Sequence, residues 1–175
     1  MPVVVVANPK GGVGKSTLST QIAGYFASRG HAVMLGDADR QQSSRLWLSL
    51  RPPAAAPIST WDVEEDHLAK PPKGTTHVVL DTPAGLHGKR LREVIKRADR
   101  IVVPLVGMRV HERTLSADKL RTMAEQLGWP LLTMLRDTQN YVHLAASGLT
   151  LFDVAQSKVE RDLEQWQPLC RWLDT

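Results

Sequence analysis

Ten consecutive residues constrain this chain more than any others: Asn8-Pro9-Lys10-Gly11-Gly12-Val13-Gly14-Lys15-Ser16-Thr17. They follow Val3–Ala7, a short β-branched apolar run that reads as a buried strand. They precede residues 18–27, where apolar side chains at 18, 22, 23, 26 and 27 repeat at helical spacing. The glycines therefore lie on a strand-to-helix turn.

That context suits anion binding. Glycines let successive N–H groups turn inward and approach a phosphate closely. The helix that follows adds its free N-terminal donors and the positive end of its dipole. In such a loop Lys15 reaches the β- and γ-phosphates, and the Ser16 hydroxyl ligates Mg²⁺. A glycine-rich turn with no ligand would not need Gly-Lys-Ser between a strand and a helix.

Two further segments point the same way. Ala32–Gly36 reads as a second strand and ends in Asp37-Ala38-Asp39-Arg40-Gln41. Carboxylates at the carboxyl end of a central strand lie where α/β folds bind ligands. Asp37 and Asp39 could hold metal-bound waters or orient an attacking water; Asp39 could instead cap the next helix. Thr76–Leu80 is an apolar strand that delivers Asp81, the arrangement in which a carboxylate faces Mg²⁺. His77 and His87 flank it with no second histidine at ligand spacing, and read as packing or surface residues.

The loop departs from the usual phosphate-loop pattern. Pro9 stands where that pattern has glycine, and Lys10 stands just before the glycine pair. Lys-Gly-Gly-Val-Gly-Lys-Ser-Thr resembles the deviant Walker A motif of the ParA/MinD ATPases, and small ParA-type partition proteins are the nearest likeness. The resemblance extends to the Asp37–Gln41 stretch, where Arg40 replaces the family's proline, and to Asp81-Thr82-Pro83. It implies ATP or ADP with Mg²⁺ on residues 10–17. It implies that Lys10 crosses a dimer interface to the partner's nucleotide, and that Asp39 places the hydrolytic water. Lys10, Lys15 and Asp39 are thus the expected catalytic residues. Ser16, Asp37 and Asp81 are the expected metal side.

The remaining chain alternates strand and helix. Gln42–Leu50 and His87–Arg97 read as helices, the second with a basic face that is either simply solvated or part of a DNA-facing surface. Arg100–Val106 reads as a strand, Thr114–Leu127 as a helix stopped at Gly128, and Leu131–Leu135 as the last strand. Residues 150–175 resemble the C-terminal helix of small ParA proteins. Val159, Leu163, Trp166, Cys170 and Leu173 form its apolar seam, and Pro168 is expected to interrupt it. That segment carries three basic against four acidic residues between 156 and 175, which argues against a membrane-targeting face.

Continuously apolar strands alternating with helices predict a single α/β domain over residues 1–175: a P-loop NTPase with a mostly parallel sheet and helices on both faces. Against the family pattern, the final third reads as about one strand–helix unit short. The 42% hydrophobic content fits a globular chain, and one cysteine excludes an internal disulfide. The chain opens directly into a strand with no leader pattern and no apolar run of about 20 residues, so the expected location is the cytoplasm, over the nucleoid. A net charge of +4 is compatible with nonspecific nucleic-acid binding.

The family likeness implies an ATP-dependent homodimer that binds nonspecific DNA in plasmid or chromosome partition, stimulated by a ParB-like partner. Arg109, Arg113, Lys119, Arg121, Arg136 and Arg161 are candidate DNA contacts, drawn from basic clusters. Two alternatives share the loop: a positioning ATPase for a protein cargo, and a metabolic ligase of the dethiobiotin-synthetase type, which would need neither Lys10 nor DNA.

Overall fold

A computed structural model describes residues 1–64, 67–68, 70–105 and 115–175. The chain runs β1 (Val3–Val6), α1 (Lys15–Ser28), β2 (Val33–Asp37), α2 (Ser43–Ser49), β3 (Ile58–Trp61), β4 (Val63–Glu64), β5 (His67–Leu68), β6 (His77–Asp81), α3 (Gly88–Arg97), β7 (Arg100–Val102), α4 (Leu115–Gln126) and α5 (Gln139–Ala145). A 3₁₀ turn at Leu151–Asp153 and α6 (Gln156–Leu173) close it. Five strands form one parallel sheet in the order β3-β2-β6-β1-β7. β4 and β5 make a small antiparallel pair.

Strand composition explains the layering. Alternate side chains of the Val-rich central strands point to opposite faces. Val4, Val6, Leu35 and Val79 join Ile22 and Phe26 of α1, Trp47 of α2, and Trp166 and Leu169 of α6. On the other face Val5, Met34, Val78 and Leu80 pack with Trp61, and Val94 of α3 lies against them. The expected parallel sheet with helices on both faces is present, but one face is much the thicker.

Two close approaches hold α1 in place. Gln21 is buried in α1, and its Oε1 accepts the Leu151 N–H at 3.0 Å. At Gly24 a Cβ would collide with the Thr150 side chain, so only glycine lets the C-terminal segment lie this close.

Two expectations in the final third are corrected. Leu131–Leu135 is not a strand, although Leu132 and Leu135 do pack on the core. The run bonds to α6 instead: the Thr133 hydroxyl donates to the Gln165 carbonyl at 2.6 Å, and Arg136 N–H donates to Gln165 Oε1 at 2.8 Å. Its burial is met without a sheet partner. Pro168 does not interrupt α6, which continues to Leu173. The break lies at Val159, where φ is −135°. The seam itself is confirmed, with Val159, Trp166 and Leu173 buried and Leu163 and Cys170 packed beside them. No helix among the described residues is long and apolar enough to cross a membrane.

Candidate nucleotide site

The sheet brings three chain segments to one end. In register, Asp81 lies opposite Val6 on one side and Asp37 on the other. The glycine loop after β1, the Asp37–Gln41 turn after β2 and the Asp81–His87 turn after β6 therefore converge at the carboxyl edge, where open parallel sheets bind ligands.

Internal hydrogen bonds hold the loop. Asn8 accepts the Lys10 N–H through Oδ1 at 2.8 Å, and its Nδ2 donates to the Pro104 carbonyl at 2.7 Å. Gly14 caps α1 with φ +83°, a left-handed conformation that costs a glycine little. Lys15 is buried, and its ammonium donates to the Lys10 carbonyl at 3.1 Å. The Lys10 side chain itself is exposed. A cleft of about 730 Å³ opens above the loop. Gly11–Thr17 form one wall; Asp39, Arg40, Pro83, His87 and Arg90 stand among the others.

The carboxylates divide their work. Asp37 Oδ1 accepts the Asp39 N–H at 3.0 Å, and Oδ2 accepts the N–H groups of Ser44 and Arg45 at 2.8 and 3.1 Å. It thus holds the first turn of α2, the capping role that the sequence suggested for Asp39, and it does not line the cleft. Asp39 does line it, with Oδ1 accepting the Gln41 N–H at 3.1 Å.

Asp81 is only 1% exposed, beneath the cleft. Its Oδ2 accepts the Ser44 hydroxyl at 2.6 Å, while Oδ1 is buried with no hydrogen-bond partner. Burial pushes its carboxyl up to about 6; hydroxyls of Ser16 and Ser44 draw it back in part, and Asp37 pushes it further up. A buried oxygen left without a donor, beside the loop serine, is what a divalent cation or its bound water would satisfy. Ser16 and Asp81 therefore fit Mg²⁺.

The DNA candidates scatter. Arg109 and Arg113 lie outside the described residues. Lys119 is exposed, and Arg121 pairs with Asp118 at 3.2 Å. Arg136 is bonded through Nε to Asp162, a fully buried carboxylate. Arg121 and Arg161 share a shallow groove with Glu164. The histidines separate: His77 stacks on Phe26 and His31, with ring centroids 4.3 and 4.0 Å away, whereas His87 lines the cleft. His87, Arg90 and Ser44 were not legible as site residues. Each stands several residues from its motif, and only the turns that follow β2 and β6 bring them in.

The family model for the CobQ/CobB/MinD/ParA nucleotide-binding domain matches residues 4–151. The chain is 30% identical over 129 residues to Protein ParA of Rhizobium radiobacter, covering 72% of this chain and 58% of that one. It is 36% identical over 105 residues to Maintenance of carboxysome distribution protein A of Gloeobacter kilaueensis, covering 58% and 48%. The matches thus span about half the length of these two relatives. Among solved structures, a Cyanothece McdA(D38A)–ATP complex superposes with a TM-score of 0.72 over 97% of this chain and 96% of that chain, at 14% identity. MinD of Aquifex aeolicus gives 0.63 over 99% and 97%, at 15% identity. At these identities the structural likeness is one of fold.

Proposed function

The chain belongs to the CobQ/CobB/MinD/ParA family of nucleotide-binding domains, and from that premise we propose that it is an ATP-driven switch. It binds ATP on residues 10–17, pairs with a second copy, and as a pair holds DNA without regard to sequence in plasmid or chromosome partition. The observation that carries this reading is the division of labour between two lysines on one loop: Lys15 buried against the loop's own carbonyl, and Lys10 exposed at its head.

Within the loop the Lys15 ammonium has a neutral acceptor, the Lys10 carbonyl. Phosphate oxygens offer it a charged and stronger one. Lys10 is free to reach outward to the nucleotide of a second subunit. Asp39, on the cleft wall, orients the attacking water and takes part in its deprotonation. Ser16 and Asp81 would hold Mg²⁺, which supplies charge neutralisation between the phosphates. Pairing doubles the basic side chains presented to one duplex, and DNA affinity rises steeply with the number of phosphates neutralised. Hydrolysis separates the pair and releases the DNA, and a ParB-like partner accelerates it. This cycle places the protein in the cytoplasm, over the nucleoid.

A second reading keeps every step but moves a protein cargo. It is favoured by the likeness to a protein named for carboxysome distribution. The ligase reading gives Lys10 no task.

The test is DNA retention and sizing of wild type and Lys10→Ala with ATP, ADP or no nucleotide, at two salt concentrations. Wild type is expected to dimerise and bind DNA only with ATP, and Lys10→Ala to do neither. Nucleotide-independent behaviour in wild type would overturn the switch. Where the tagged chain travels in its own cells, with DNA loci or with a protein compartment, separates partition from cargo positioning.

A further inference from the structure

The phosphate loop supplies one wall of the cleft, and the start of α3 supplies part of another. Among the basic residues of α3, Arg90 alone is half-buried and lines the cleft; Lys89, Arg92, Lys96 and Arg97 are exposed. Arg40, the other arginine on the cleft, is exposed at the tip of its turn.

The connection that carries Arg90 is registered against the loop. The Thr82 hydroxyl donates to the Val6 carbonyl at 2.8 Å, and the Gly85 N–H donates to the Pro9 carbonyl at 2.8 Å. His87 Nδ1 bonds the Gly85 carbonyl at the start of the helix. The wall therefore stands at a set distance from the glycines. Beyond it α3 is lightly held: none of its residues is buried, and Val94 is its one apolar side chain against the second core cluster.

We propose that Arg90 is a contact for the terminal phosphate of a bound nucleoside triphosphate, and that through it α3 distinguishes triphosphate from diphosphate. This rests on the nucleotide site proposed above and adds to it a second phosphate-reading wall. In a loop of this kind the backbone N–H groups cradle the inner phosphates, and the lysine reaches the outer ones. A diphosphate is then largely served by the loop. The third phosphate adds oxygens on the side away from the loop, where a guanidinium donates in a planar, bidentate fork. α3 also carries five basic residues against one acidic, Glu93, so an anion at its cleft end relieves repulsion along it. The nucleotide's state is thereby read by the helix whose outer face carries Lys89, Arg92, Lys96 and Arg97.

The experiment is equilibrium calorimetry on the full chain with Mg²⁺ and either ADP or a non-hydrolysable ATP analogue, paired with thermal melts. Arg90→Gln is expected to lose about tenfold in triphosphate affinity, with ADP changed by less than about twofold. Arg90→Lys keeps the charge but not the fork, and is expected to lose about threefold for the triphosphate alone. Arg92→Gln, on the exposed face, is expected to match wild type for both ligands. Equal losses for both nucleotides in the Arg90 variants, or no loss, would overturn the proposal. If Arg90→Gln melts below the assay temperature, Arg90→Lys decides on the same criterion. Wild type binding neither nucleotide would overturn the nucleotide site itself, and this inference with it. Normal binding by wild type together with unselective Arg90 variants would remove only the inference.

Discussion

Buried carboxylates in two regions of this molecule are treated in opposite ways. Asp153 and Asp162, in the C-terminal third, are saturated with donors. Arg51 grips both oxygens of Asp153 at 2.7 and 2.9 Å, and the Thr150 N–H and hydroxyl add two more bonds at 2.8 and 2.6 Å. Arg136 and Asn140 close on Asp162. Asp81, under the cleft, has the Ser44 hydroxyl bonded to one oxygen and no bonded donor on the other, although the Ser16 hydroxyl is near enough to draw its carboxyl down in part. Burial pushes all three carboxyls up, but at Asp153 the bonds from Arg51 and Thr150, and at Asp162 those from Arg136 and Asn140, together outweigh it, and both end below the usual range. Asp81 ends near 6. The saturated carboxylates hold the fold together. The unsaturated one is buried at a cost to folding.

The contrast is most sharply broken at Arg51. Removing one partner of a buried pair leaves the other charge uncompensated, so Arg51→Ala is expected to lose about 3–5 kcal/mol. Replacing both partners by apolar residues, Arg51→Met with Asp153→Leu, is expected to lose less than that single change. Chemical denaturation checks both, and a double variant as unstable as Arg51→Ala would show that the pair's value is not electrostatic.

Asp81→Asn is expected to do the reverse and stabilise the metal-free protein at pH 7. The sign follows from the titration. Below pH 3.8 the carboxyl is protonated in both states. As pH rises toward 6 the unfolded chain ionises first, so folding loses stability, and the loss is complete above 6. A carboxyl held at about 6 rather than 3.8 corresponds to about 3 kcal/mol. Asp153 and Asp162 act oppositely: their contribution is present above the usual carboxylate value and lost as pH falls below it. His77 also titrates in the Asp81 window. Burial and neighbouring His31 lower it to about 4, so its contribution is lost as pH falls from 6.5 toward 4 and masks Asp81 in wild type. The measurement is therefore the difference between wild-type and Asp81→Asn denaturation curves from pH 4 to 8. A flat difference, or a less stable variant, would refute the reading that Asp81 is buried at a cost to folding. The same variant should lose Mg²⁺-dependent nucleotide binding by at least about tenfold, the equivalent of about 1.4 kcal/mol.

Two smaller changes sharpen the division. Gly24→Ala drives a methyl into Thr150 and is expected to cost about 1–3 kcal/mol by overpacking. Thr138 caps α5 by accepting the Asn140 N–H, and Thr138→Ala is expected to cost about 1 kcal/mol. Both strike the saturated region, so melting temperatures should fall while nucleotide affinity holds. A parallel fall in affinity would show that the two regions are not separable.

Much of the site was legible because its parts are local. Gly11–Thr17 needs only a strand before it and a helix after it, and the residues at both places declare those elements. Asp81 stands at the end of one apolar strand and Asp39 in the turn just beyond another, so their arrival at one sheet edge follows from parallel pairing. Asp37 was legible as a carboxylate at that edge but not as the holder of α2, because Ser44 and Arg45 reach it only through the turn at residues 38–42. The final third was less legible. Leu131–Leu135 has the composition of a strand, yet composition reports burial and not hydrogen-bond partners, and Gln165 of α6 supplies those. Pro168 carries a helix-breaking signal that packing of Trp166, Leu169 and Leu173 overrides.

By itself, then, the sequence determined a parallel α/β domain with a phosphate loop and a carboxylate beside it, since glycine spacing, β-branched runs and helical periodicity act over a few residues. Only the tertiary structure decided which carboxylates are satisfied, that α6 rather than a further strand takes up residues 131–136, and that Arg90 lines the same cleft as the loop. Those outcomes depend on hydrogen-bond partners distant in the chain, which local pattern does not encode.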